Sequence, residues 1–186
     1  MIRCIKATWI TLLVLGFALS CHAQKKDASL PAELQALKSY VGVWDAEIEV
    51  WPRGQEAPSI KFKGVETNRA YGDYWIASDF DSEFNGQTTK MHSIIGYDLD
   101  EEKLIGKVID HGPYAASMTG DYDAESNTVT WMAQAKMPNG SPMIQKTTVT
   151  QKSADERELV LFMPKKGAEG KDAFAKFMTI KFVKRK

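Results

Sequence analysis

The chain has 186 residues, with 24 Lys plus Arg balanced by 24 Asp plus Glu, 44% hydrophobic residues and 26% charged ones. That is the length and composition of one globular domain, and it disfavours disordered, collagen-like and multi-span membrane classes. A formal net charge of zero supplies no general positive field for phosphates, so composition makes no case for nucleic-acid binding.

The N-terminus reads as an export signal. Arg3 and Lys6 precede the uncharged run Ala7–Ser20, followed by small residues and then Lys25, Lys26 and Asp27, the order of a secretory signal peptide. The run is too short for a permanent membrane span, which takes about 20 apolar residues. Two processing sites compete within residues 1–23. Cys21-His22-Ala23 suits ordinary signal peptidase, with Gln24 as the new N-terminus. Ala18-Leu19-Ser20-Cys21 resembles an imperfect lipobox, after which Cys21 would carry lipid and provide the chain's one membrane contact. Either route loses Arg3 and Lys6, leaving a mildly acidic domain, and leaves no pair of cysteines for a disulfide. The expected location is periplasmic or extracellular. Stability must then come from core packing, which a chain of this length can supply.

Residues 24–41 form an N-terminal segment in which Leu30, Leu34, Leu37 and Val41 share one helical stripe behind Pro31, predicting a short amphipathic helix. From Gly42 the hydrophobic period becomes two: Trp44, Ala46, Ile48 and Val50 alternate with Asp45, Glu47 and Glu49, a strand with one buried face. Further strands are expected at Ile60–Tyr71, Tyr74–Phe84, Thr88–Tyr97, Lys103–Asp110, Ala115–Tyr122, Thr128–Lys136, Met143–Gln151, Arg157–Met163 and Phe177–Val183. Turn-forming residues such as Asn85-Gly86 and Asp123–Asn127 separate them. The short connections imply antiparallel neighbours, because parallel pairs need crossovers of a dozen or more residues. The expected fold of residues 42–186 is therefore mainly β: an antiparallel up-and-down barrel of about ten strands, with the short helix plugging or flanking one end. Leu159–Phe162 is continuously apolar and is expected to be covered on both faces, by the helix on one of them.

No motif announces catalysis. The chain lacks a G-x-S-x-G elbow, a nucleotide-binding Gly pattern and an H-E-x-x-H helix, so no cofactor or metal is expected. Asp79-x-Asp81-x-Glu83-x-Asn85-Gly86 imitates a calcium loop, but its Gly comes one step late and Lys90 stands where a bidentate Glu is needed. The aromatics are more informative. Trp44, Trp75, Tyr97 and Trp131 lie on expected strands, as does His92, and these are the candidate cavity residues, with core filling as the alternative for the rings. His92 would be either a wall histidine or a polar contact to a ligand. Asp110, His111 and Tyr114 close a strand and open a turn, a candidate barrel mouth. The favoured function is a binding module for a small, predominantly apolar molecule. The alternatives are an envelope enzyme using His92 with Asp79 or Asp110 across the lumen, and a barrel filled solid.

Gly42-x-Trp44 directly after a short helix resembles the lipocalin and calycin signature, which implies that Trp44 closes one end of a barrel. More of the chain resembles the bacterial domain-of-unknown-function 1579 family. The landmarks are Gly42-x-Trp44, Gly64, Asn85-Gly86, Gly96-Tyr97-Asp98, Gly106–Asp110 and Gly120-x-Tyr122-Asp123, covering residues 34–184. This resemblance implies export and a lipocalin-like barrel, with no activity, ligand or catalytic residue attached. Haem-binding relatives of the nitrobindin type would need a C-terminal axial histidine, and no His follows His111.

Overall fold

A computed structural model describes residues 30–186, except 111, 113–114, 137–139 and 166–172. The expected signal peptide, Cys21, His111 and Tyr114 lie outside the described residues.

The helix α1 (Ala32–Lys38) starts at Pro31, whose carbonyl accepts from the amides of Leu34 and Gln35. It is shorter than the stripe predicted. Ser39 Oγ donates to the Ala36 carbonyl at 2.6 Å, and the amides of Tyr40 and Val41 bond three residues back, to Leu37 and Lys38, so the last turn tightens and stops the helix. Leu34 and Leu37 are fully buried, and Tyr40 takes the next inward position while Val41 is only partly covered.

Ten strands follow: β1 (Gly42–Val50), β2 (Ile60–Tyr71), β3 (Trp75–Phe84), β4 (Gln87–Asp98), β5 (Lys103–Ile109), β6 (Ala115–Asp123), β7 (Thr128–Lys136), β8 (Pro142–Gln151), β9 (Glu156–Pro164) and β10 (Phe174–Lys184). Each pairs antiparallel with its sequence neighbours, and β1 pairs with β10, so the sheet closes into a barrel without a free edge. The seam keeps the pleat in phase. Ala46 faces Phe182 and Ile48 faces Ile180 inside, while Glu47 faces Lys181 outside. Gly42 begins β1 at φ +133, and a Cβ there would stand 2.8 Å from Lys184 Cε, so the glycine of the G-x-W triplet is a backbone requirement.

The helix closes the end of the barrel at which the β2–β3, β4–β5, β6–β7 and β8–β9 turns lie. Leu37 and Tyr40 pack there against Ile76, Leu104, Val129, Trp131 and Val149. A second cluster, built on Trp44, Ile48, Phe80, Ile180 and Phe182, fills the lumen beside the seam. The apolar run of β9 is not sandwiched. Leu159 and Leu161 point into the lumen, and all four residues from Leu159 to Phe162 are half-buried. On the outside, the Lys146 ammonium lies 5.6 Å from the centroid of the Phe162 ring. In β10 a bulge between Lys176 and Met178 breaks the alternation, which is why the pattern shows that strand only from Phe177 onward.

Candidate functional site

The interior phase of β2, continued from Phe62, carries Glu66 and Asn68, and that of β9, continued backward from Leu161 and Leu159, carries Arg157. These polar side chains meet at the helix end of the lumen. Arg157 is 4% exposed and pairs through Nη2 with Glu66 Oε2. Asn68 Nδ2 donates to the same carboxylate oxygen at 2.8 Å and to the Tyr40 carbonyl at 3.0 Å, and Trp44 Nε1 donates to that carbonyl at 2.7 Å. The guanidinium lies against three rings, 4.5 Å from the centroid of Tyr40, 4.7 Å from Trp44 and 4.3 Å from Phe182. A desolvated cation–π contact contributes about 2 kcal/mol, more than an exposed one. Burial drives the Tyr40 phenol well above its ordinary range, against the opposing field of Arg157, so it stays neutral.

Above this polar base lies a cavity of about 240 Å³. Its wall is mainly apolar, with Met91, Met118, Met178, Val108 and Leu161 among the side chains that line it. Ser78 and Ser93 stand opposite each other on β3 and β4, and Asn68 stands opposite Ser78 on β2, so three polar residues cross one side of the wall in register. Gln145 and Thr147 line the facing side, on β8. Trp131 contributes its indole, and Gly120 makes the space: a Cβ on Gly120 would lie 2.8 Å from the Trp131 ring.

Of the residues expected in the cavity, only Trp131 lines it. Trp44 is fully buried in the base, under the guanidinium of Arg157. Tyr97 packs at the helix end of the core. Trp75 and His92 occupy the outward phase of β3 and β4, because Ile76, Ser78 and Phe80, and Met91, Ser93 and Ile95, take the inward phase. His92 is thus an outer-wall residue. Its Nδ1 donates to Asp79 Oδ1 at 2.7 Å, and Asp79 is also paired with Arg69, all on a solvent-exposed surface. The His92 hydrogen bond, with the Arg69 contact next, holds the Asp79 carboxyl below its ordinary value. Asp110 accepts from the Gly112 amide at 2.7 Å, a turn contact, and borders the same outer groove as His92. His92 and Asp79 therefore meet, but on the outside of the barrel.

The sequence reading passed over Arg157, Glu66, Asn68, Ser78 and Ser93. A usable signal was present in β9, where the phase set by Leu159 and Leu161 points Arg157 inward. In β2 polar residues occupy both phases around Gly64-Val65-Glu66-Thr67-Asn68, so alternation alone does not select Glu66.

A family model described as "Protein of unknown function (DUF1579)" matches residues 31–184. No curated protein matches the chain. Among solved structures, the S-type phycobiliprotein lyase CPES from Guillardia theta is similar at a TM-score of 0.54 and 11% identity, over 82% of this chain and 92% of that one. Rv2717c from M. tuberculosis is similar at a TM-score of 0.59 and 10% identity, over 84% of this chain and 99% of that one. At such identities these two share the fold with the chain.

Proposed function

We propose that this chain, which belongs to the DUF1579 family of proteins of unknown function, is a binding protein that holds a small, predominantly apolar molecule inside its barrel. The observation that carries this reading is the lumen itself: a cavity of about 240 Å³ with a mainly apolar wall of aliphatic, methionine and aromatic side chains, and polar groups gathered at the base and on β2–β4 and β8. Small-molecule sites have this character, apolar walls with a handful of placed polar groups. The volume falls below the roughly 300 to 1,000 Å³ of pockets for drug-sized ligands, so the ligand is smaller than those.

The cavity counts against a solid-filled barrel, and the outward placement of His92 and Asp79 removes the pair on which acid–base chemistry in the lumen rested. In the same proposal the protein works after export, in the periplasm or outside the cell, because Arg3, Lys6 and the run Ala7–Ser20 form a secretory signal. It is then soluble from Gln24 or held at a membrane by lipid on Cys21.

Isothermal titration with octanol, a probe of suitable size, tests the binding reading. Saturable one-site binding is expected, and Ala116→Phe, which puts a ring into the lumen from β6, should abolish it while leaving the circular dichroism spectrum unchanged. Equal binding by both proteins would place octanol outside the lumen, and no saturable binding to either would remove the binding reading.

A further inference from the structure

The polar base of the cavity also bears on the head group that a ligand would carry, an inference that rests on the binding reading above. Arg157 and Glu66 form a pair whose charges cancel, with side chains 3% and 16% exposed. Part of the hydrogen-bonding capacity there is already committed. Glu66 Oε2 accepts from Arg157 Nη2 and Asn68 Nδ2, and Asn68 Nδ2 donates again to the Tyr40 carbonyl. Arg157 Nε also lacks a hydrogen-bond partner, but it is buried against the three rings with no surface open to the lumen. A ligand head is met instead by Ser78 and Ser93, which line the cavity opposite each other on β3 and β4 and bring two hydroxyls to the wall, each able to donate or to accept.

Charge selects among acceptors. An anionic head would enter a site where the positive charge of Arg157 is already matched by Glu66, and would leave one uncompensated negative charge in an apolar enclosure. An ammonium head would leave one uncompensated positive charge in the same enclosure. Burying an unpaired ion is strongly unfavourable, whereas a neutral oxygen can exchange hydrogen bonds with the serine hydroxyls without altering the charge balance. We infer that the lumen selects a small neutral molecule bearing one hydroxyl or carbonyl head on an apolar body, and discriminates against carboxylates and amines of the same length.

The test is a head-group series on the purified protein at pH 7: octanol, octanoate and octylamine, the last two ionised at that pH. Each affinity is referred to the partition of the same probe into neutral detergent micelles, which removes the general preference of apolar phases for neutral molecules. Octanol is expected to exceed both ions by at least tenfold after this correction. Glu66→Gln, which leaves Arg157 unmatched, should tighten octanoate at least tenfold and leave octanol nearly unchanged. Corrected affinity for octanoate or octylamine equal to that for octanol would overturn the inference while leaving a binding protein in place. Failure of all three to bind would overturn the binding reading and this inference with it. Should Glu66→Gln fail to fold, Ser78→Ala with Ser93→Ala decides the placement of the head, since octanol should then weaken severalfold, and an unchanged affinity would contradict the assignment.

Discussion

Arg157 and Glu66 are joined side chain to side chain inside the barrel although they are 91 positions apart in sequence and sit on β9 and β2, strands separated in the sheet by β10 and β1. The pair spans the closure seam, and three aromatic rings cover its cation. Since the pair is almost wholly out of water, removing one partner leaves a buried charge behind. Arg157→Ala is expected to lower the unfolding free energy by about 3 to 5 kcal/mol, while Arg157→Met combined with Glu66→Leu should recover most of it. Urea unfolding of the three proteins checks this. A single substitution costing under about 1 kcal/mol would mean that the pair is solvated.

Trp44 combines complete burial with a hydrogen bond from its indole to the Tyr40 carbonyl, so it fastens the end of α1 to the first strand. Trp44→Ala should cost about 3 to 5 kcal/mol. Trp44→Phe retains most of the packing and loses the hydrogen bond, and it should cost less. The ordering is read from the midpoints of denaturant unfolding, and equal midpoints for wild type and Trp44→Ala would contradict the placement of Trp44 in the base.

Gly120 and Trp131 face each other across β6 and β7. A methyl group at Gly120 has no room beside the indole, and overpacking of this kind costs about 1 to 3 kcal/mol. Gly120→Ala is expected to destabilise by an amount in that range and to weaken octanol binding, because the displaced ring must move into the cavity. Retained stability with tighter binding would contradict the account.

The outer cluster makes a pH-dependent prediction. Asp79 is held below the ordinary 3.8, first by His92 and then by Arg69, so its ionised form is favoured by folding. Its contribution to stability is present above the unfolded value and is lost as pH falls through the lowered folded one. NMR titration should show the Asp79 carboxyl moving up toward 3.8 in His92→Ala, and Asp79→Asn should flatten the acid limb of the stability profile. An Asp79 that titrates at the same pH in wild type and His92→Ala would show that the hydrogen bond does not act in solution.

The strands were legible because turn-forming residues bound them at short spacing and several, β1 and β7 among them, keep a period of two; β2 and β7 occupy the expected spans, Ile60–Tyr71 and Thr128–Lys136. Closure of β1 on β10 followed from the number of strands and their short connections. What alternation does not convey is which face of a mixed strand turns inward. In β4 both phases contain apolar and polar residues, His92 and Ile94 on one and Ser93 and Ile95 on the other, and only the packing of the neighbouring strands fixes the choice. The same limit hid the polar base. Charged residues are ordinarily exposed, and Arg157 and Glu66 are inside because each supplies the other's counter-charge, a pairing that no local pattern encodes.

The claim that the lumen binds a small apolar molecule is tested most directly by NMR of the methionine methyl groups. Met91, Met118 and Met178 line the cavity, whereas Met132 lies on the outward phase of β7, opposite to Trp131 and Ala133. On titration with octanol, the three lumen methyls should shift together along one saturable curve while Met132 remains in place. Lumen methyls that stay fixed at saturating octanol, with or without a shift at Met132, would contradict the account.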